Sequence, residues 1–343
     1  MGLTRRELLS GIAVTAAATI ARPVPGQAAE DFYRGKTLTI LVSAPAGSLT
    51  DFVARQFAPF YVKHIPGQPQ VVVMNVAGAG GMVAAASLQS RLPKDGTVIG
   101  FLQRNNLYIP LLDPHQNSFD PREVNWVGSL DKVNYCMVAM TRSGVTTAED
   151  LFKKKLIIGA TGFANENRTL PALLDQYLGA QMNIVPGYSD RGEVYLAMER
   201  GEVDGWASTI DGLAQGEPAR MLADGTMKVL LHLAWTSHPS FPDVPNLSTF
   251  VTDPQIKALF DFFLLPFQAG RPLAVPKEVP QDRLDVLRKA FDDTLKDPDF
   301  LAANAAKDYA VDPINGQAVA DIVTKLYATP AAQLTQARKI VTP

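Results

Sequence analysis

From Thr37 to Val42 the chain runs apolar and β-branched with little alternation (TLTILV), as in a strand covered on both faces of a parallel sheet. Pro45, Gly47 and Ser48 break the run. A helix face then begins with Phe52, Val53 and Phe57, with Thr50 or Asp51 placed to cap it. Unpaired N–H groups of that first turn would point into the crevice above the sheet, a setting that suits an anion. A near copy follows after a βαβ-sized interval of about thirty residues: a strand at Gln70–Asn75, a glycine-rich turn at 76–81 (VAGAGG) and a helix at 82–92. Two helix N-termini at one sheet edge would share a cleft.

Further along, Pro59 is expected to kink or end the first helix near Ala58. A third strand at 97–101 is entered through Pro93-Lys94-Asp95-Gly96, and Arg104, Asn105 and Asn106 follow at its cleft-facing end. Residues 107–122, with Pro110, Pro114 and Pro121, read as irregular. Strands are expected at 126–130 and 135–140, and Thr146-Thr147-Ala148-Glu149 reads as a capping box opening a helix at Ala148. The α/β order then repeats: strand 156–160, polar turn 161–168, helix 169–178 with Pro171 in its first turn, strand 182–185, helix 193–200 and strand 203–208, ending at Ser208, Thr209 and Asp211. Another strand is expected at 227–232. Segments 262–266 and 271–275 look like the chain crossing back, followed by helices at 280–296 and 298–307 and a last helical stretch at 318–339 closing over the first domain. The expected fold is α/β with two lobes, each a mostly parallel sheet flanked by helices. Lobe 1 would comprise 29–126 and 262–343, and lobe 2 residues 127–261.

The 343 residues are 47% hydrophobic, enough for two cores. A net charge of −2 leaves no basic footprint for nucleic acid; the short run at 153–155 reads as a solvated helix end. The first 28 residues read as an export signal: a twin-arginine-like start (Thr4-Arg5-Arg6-Glu7-Leu8-Leu9), a weakly apolar stretch from Gly11 and small residues before a cut near Ala28. Its loss would leave a net charge of −4. Cys136 is the single cysteine, which excludes an intramolecular disulfide and a cysteine-based zinc cluster, and its apolar neighbours suggest a buried thiol. No second hydrophobic span occurs, so a soluble periplasmic protein is expected.

Several pieces, in order, carry a resemblance: Thr50-Asp51 with Val53-Ala54-Arg55, NVAGAGG from Asn75 to Gly81, Asn125-Trp126-Val127-Gly128, Gly159-Ala160-Thr161-Gly162, LAMERGEVDG from Leu196 to Gly205, and Pro242-Asp243-Val244-Pro245. Together they resemble the Bug or TctC-type solute receptors of tripartite tricarboxylate transporters. The resemblance implies a two-lobed type II periplasmic binding protein, monomeric and without a cofactor, that hands a small organic carboxylate to membrane transporter subunits. By position it implies a first-lobe grip of Ala46, Gly47, Ser48, Leu49, Thr50 and Asp51, supported by Gly78, Ala79, Gly80 and Gly81. The second-lobe grip would be Thr161, Gly162, Phe163, Ala164 and Asn165, with Ser208 and Thr209. Ser48 and Leu49 stand where many relatives carry glycines, which narrows the turn. Ser208 stands where amino-acid-binding members tend to be acidic, which argues against an α-amino acid ligand. Arg104 is the candidate supplementary clamp, with an intramolecular salt bridge as its alternative; Arg168 and Arg191 rank behind it.

Micromolar capture needs about 8 kcal/mol net. Two helix ends and several charge-assisted hydrogen bonds can supply that without an obligatory arginine. Catalysis finds no constellation: Gly187-Tyr188-Ser189-Asp190-Arg191-Gly192 is not a nucleophile elbow, and His64, His115, His232 and His238 lack metal-ligand spacing. The alternatives to uptake are a receptor reporting to a sensor protein and, less favoured, an exported α/β enzyme.

Overall fold

The computed structural model describes residues 32–341 apart from 114, 116, 117, 163, 164, 215 and 308. The export signal, Pro114, Phe163 and Ala164 therefore lie outside the described residues.

Two sheets form two lobes. The first has the strand order β11-β4-β10-β3-β1-β2, built from β1 (Thr37–Val42), β2 (Gln70–Asn75), β3 (Val98–Phe101), β4 (Val124–Ser129), β10 (Pro272–Pro276) and β11 (Ile314–Asn315). The second has the order β7-β6-β8-β5-β9, built from β5 (Tyr135–Met140), β6 (Leu156–Ala160), β7 (Met182–Pro186), β8 (Gly205–Thr209) and β9 (Met227–His232). In each lobe the βα units supply parallel pairs, β1 with β2 and β3, and β6 with β7 and β8. Antiparallel β10 and β5 lie beside them because each enters its sheet directly after a crossing between lobes. The boundary expected at residue 126 falls inside β4, whose pairing with β10 runs to Ser129, so the chain crosses at 130–134. The return boundary expected after 261 falls inside the helix Pro254–Leu264, and pairing with the first sheet resumes at Pro272.

In chain order the helices are α1 (Leu49–Lys63), α2 (Met82–Ser90), the single turn α3 (Ile109–Leu112), α4 (Glu166–Leu178), α5 (Arg191–Arg200), α6 (Gly216–Ala223), α7 (Pro254–Leu264), α8 (Gln281–Thr294), α9 (Pro298–Ala305), α10 (Gly316–Tyr327) and α11 (Ala331–Val341). The lobe 1 core forms because α1 presents Phe57, whose ring stacks 4.8 Å from Tyr61 and meets Phe300 of α9 edge-on at 6.0 Å. Burying each such ring contributes roughly 1.5–3 kcal/mol.

Four local expectations are corrected. α1 runs through Pro59 to Lys63, because Pro59 is exposed and water can serve the carbonyl its missing N–H leaves open. Its N-cap is Ser48, whose Oγ accepts the Asp51 N–H at 3.2 Å. The box at 146–149 is displaced by one residue: Thr147 Oγ1 accepts the Asp150 N–H at 3.3 Å and Asp150 accepts the Thr147 N–H at 3.3 Å, and only a 3₁₀ turn, Glu149–Phe152, follows before β6. The last helical stretch is two helices, parted just before Pro330, a residue that cannot continue a helix. The second of these, α11, packs on α3 of lobe 1 and on α4 and α7, spanning both lobes instead of covering one. Arg338 donates to the Leu111 carbonyl at 3.1 Å, and Gln333 to that of Ala258 at 2.6 Å.

Candidate functional site

The turn after β1 is built around Asp51, 4% exposed, in the first turn of α1. Its carboxylate accepts the Gly47 N–H at 2.8 Å and Asn75 Nδ2 at 2.9 Å, and pairs with Arg55 Nε at 2.9 Å. Burial alone would raise the carboxyl's pKa; the Gly47 amide, Arg55 and Asn75 outweigh it and hold the group below the ordinary aspartate range. The carboxylate thus fixes Gly47 at φ +81°, a conformation that favours glycine. The N–H groups of Leu49 and Thr50, at the start of α1, have no intrahelical acceptor.

In the facing turn, after β6, Thr161, Asn165 and Asn167 bond to one another. The Thr161 N–H donates to Asn167 Oδ1 at 3.0 Å, and Thr161 Oγ1 accepts Asn165 Nδ2 at 2.7 Å and Asn167 Nδ2 at 2.9 Å. Side chains then join the lobes along one flank. Asn105 Nδ2 donates to Asn165 Oδ1 at 3.1 Å, and Arg104 Nε lies 3.2 Å from Glu166 Oε1. Arg271, preceding β10, pairs with buried Asp131 and reaches Asp211 of lobe 2 at 3.2 Å.

Between the two turns lies a cleft of about 300 Å³. Of the residues expected to grip a ligand, Gly47, Ser48, Leu49, Thr50, Arg104, Thr161, Asn165, Ser208 and Thr209 line it. Ala46, Asp51 and Gly162 are not on its wall; Asp51 acts through the turn it organises. Gly78, Ala79, Gly80 and Gly81 also lie off the wall and shape its support: the Gly80 carbonyl accepts Asn106 Nδ2 at 2.9 Å, and a Cβ on Gly80 would stand 3.1 Å from Asn105 and 3.4 Å from Asn165. Arg104 is held inside the protein, with Nη2 donating to Tyr135 Oη at 2.5 Å in addition to the Glu166 pair. Ser208 is committed as well, accepting from Tyr195 Oη at 3.0 Å and donating to the Thr209 carbonyl at 3.1 Å.

Sequence reasoning missed Gln103, Tyr135, Glu166, Asn167, Trp206 and Arg271 on this wall. Glu166 and Asn167 stood in view within the polar turn after β6, and an acidic residue opening a helix is the signal that was available. A larger cavity of about 580 Å³, lined by Trp235, Phe262 and Leu265 among others, shares no residue with the cleft and contains no arginine. Among the described residues, no group of three His, Cys, Asp or Glu is placed to hold a metal, and no helix is long and apolar enough to cross a membrane.

The family model described as the tripartite tricarboxylate transporter family receptor matches residues 53–329. A protein of Agrobacterium vitis, described as a UPF0065 protein in the TAR-I ttuE-ttuC' intergenic region, is 29% identical over 295 residues, covering 84% of this chain and 79% of its own. The structure of MatC from Rhodopseudomonas palustris with bound malate superposes with a TM-score of 0.65 at 20% identity, over 90% of this chain and 99% of that one. A second R. palustris protein, solved with adipate, gives 0.67 at 16% identity, over 89% and 97%.

Proposed function

The chain belongs to the tripartite tricarboxylate transporter receptor family, and from that premise we propose that it is a periplasmic receptor that captures a small organic carboxylate between its lobes and delivers it to membrane transporter subunits. The observation that carries this reading is the pairing of two strand-turn-helix units across one cleft, with the unpaired first-turn amides of α1 on its wall. A carboxylate seated on Leu49 and Thr50 would gain about 0.3–1 kcal/mol from the helix end, nearer 2 if partly buried. Each charge-assisted hydrogen bond would add roughly 1.5–3 kcal/mol. The lobe 1 turn is held by the protein's own Asp51, through Gly47 and Asn75, which lowers the ordering cost of binding. No step of this scheme calls on a catalytic group.

A calorimetric or thermal-shift screen of mono-, di- and tricarboxylates tests it, beginning with malate and adipate, which two proteins of the same fold hold. A ligand at a hundredfold excess over its Kd should stabilise the protein by about 2.7 kcal/mol. Silence across the whole series would reject the reading.

A further inference from the structure

We propose that β2, the free edge of the first sheet, is a docking surface for a second copy of this chain, the two β2 strands pairing antiparallel about a two-fold axis at Val73. The pairing does not depend on what the cleft binds, and it differs from the monomer that the family resemblance implies.

An open sheet edge invites another strand, and proteins guard such edges by shortness, proline, charge or a covering segment. The edges at β11, β7 and β9 are guarded in these ways. β11 is only two residues long. β7 ends on Pro186, and its Met182 N–H is taken by the Asp175 carboxylate at 3.0 Å. β9 carries the exposed Lys228, and the chain at 245–247 runs along its end, where the Pro245 carbonyl accepts the His232 N–H at 2.8 Å. β2 has no such guard. Its six residues, QVVVMN, include no charge, proline or glycine, and they pair with β1 in unbroken register from Gln70 to Asn75.

The Gln70 N–H donates to the Lys36 carbonyl and the Val76 N–H to that of Val42, both at 2.9 Å, so the even-numbered residues of β2 turn their backbone groups toward β1. Val71, Val73 and Asn75 therefore present N–H and C=O groups outward, and among the described residues no strand pairs with them. A row of alternating donors and acceptors at strand spacing fits another extended backbone. Val71 and Val73 lean toward α1. Val72 and Met74 stand on the other face, 50% and 38% exposed, the face of Leu41 and α2, to which α2 adds Val83 at 46% exposed. With Val73 on the axis, Val71 of one protomer would exchange hydrogen bonds with Asn75 of its partner, and Val72 would stand directly opposite Met74. Such a contact is self-complementary and closes at two copies. It covers both Val72 and both Met74 side chains, and neither strand carries a charge to oppose it. Each edge thus offers the uncharged apolar strand that the other requires, which is why a second copy is the occupant it fits.

The test is sedimentation velocity of the exported chain over a wide concentration series, with the wild type, V72I, V72K/M74K and V185K. One strand pair makes a small interface, so the wild type should dimerise with a Kd in the micromolar range. V72I should keep the dimer. V72K/M74K, which sets like charges directly opposite one another across the axis, should weaken association by at least about tenfold. Both of its positions are exposed, so its thermal unfolding at low concentration should match that of the wild type. V185K, an equally conspicuous change on the β7 edge, where Val185 is 36% exposed, should leave association unaltered. Deuterium uptake by the amides of residues 70–76 gives a second reading: it should slow as the wild type is concentrated, because outward N–H groups become bonded, and should not slow in V72K/M74K. A wild type that stays monomeric at every concentration overturns the proposal and leaves the edge to a strand of a different protein. A dimer that V72K/M74K does not weaken, or whose β2 amides exchange as fast as in the monomer, overturns it too, since its interface then lies elsewhere.

Discussion

Arg104 of lobe 1 and Glu166 of lobe 2 form an ion pair across the lobes at 3.2 Å, with side chains only 11% and 6% exposed. Burial would lower the guanidinium's pKa, but the Glu166 carboxylate reverses the direction and secures the charge. Removing one member of such a pair strands the other, at a cost of about 3–5 kcal/mol, whereas replacing both by apolar groups costs far less. Glu166→Gln should therefore lower unfolding stability in urea by that order. The double variant with Arg104→Met should recover much of it. Additive losses in the double-mutant cycle would show that the two side chains are not coupled.

The same logic of a committed charge gives a pH dependence for the ligand turn. The folded pKa of Asp51 lies below its unfolded value, so its contribution to stability is complete above about pH 4 and fades as pH falls through the lower, folded value. Asp51→Asn should flatten the acid limb of a melting-temperature profile. At neutral pH it should cost roughly 1–2 kcal/mol through the lost bonds to Gly47 and Arg55. An acid limb identical to that of the wild type would assign the acid sensitivity to other carboxylates.

Gly81 combines φ +93° with a Cβ position only 2.8 Å from the Ser43 backbone carbonyl, an atom that cannot swing away. Gly81→Ala should destabilise by about 1–3 kcal/mol or more from backbone strain and overlap together. Gly144 is also at positive φ, +75°, but a Cβ there meets nothing within 4 Å, so Gly144→Ala should lose only the smaller, conformational part. Equal losses measured by chemical denaturation would refute the steric component.

Cys136 is fully buried in β5, and burial pushes its thiol pKa up, away from the reactive thiolate. Native protein should leave a disulfide reagent unreacted over hours, and the thiol should titrate once the chain is unfolded in guanidinium. Fast native reaction would mean that the second sheet opens locally far more readily than its packing implies.

These residues also show which parts of the molecule the sequence made legible. The β1-turn-α1 unit is local: an apolar run, a glycine where φ is positive, and Ser48 and Asp51 within hydrogen-bonding reach of adjacent amides. Such signals sit within a few residues of one another, and the order of elements follows from them. The pairs Arg104–Glu166 and Arg271–Asp211 are different, because their members lie on separate elements that meet only when the lobes do. Arg104 was visible as a cation at a strand end, but what engages it was not. Arg271 gave no local hint of being buried. Pro59 misled because a rule about helix interiors applies less strictly on an exposed face, where water replaces the lost hydrogen-bond partner.

The proposed location of the ligand can be tested by filling it. Thr50 is the second residue of α1, partly exposed, and on the cleft wall beside Leu49 and Ser48. Because it faces the cavity and not the core, Thr50→Trp should fold with near wild-type stability. An indole would occupy a large share of a cavity of about 300 Å³ and cover the first-turn amides. Any carboxylate found in the screen should then lose more than about tenfold in affinity, the equivalent of one charge-assisted hydrogen bond. Thr50→Ser, which keeps the hydroxyl and the helix start, should stay within about twofold of the wild type. A Thr50→Trp protein that still binds at wild-type affinity, with its melting temperature intact, would move the ligand out of this cleft and leave the α1 amides without the role assigned to them.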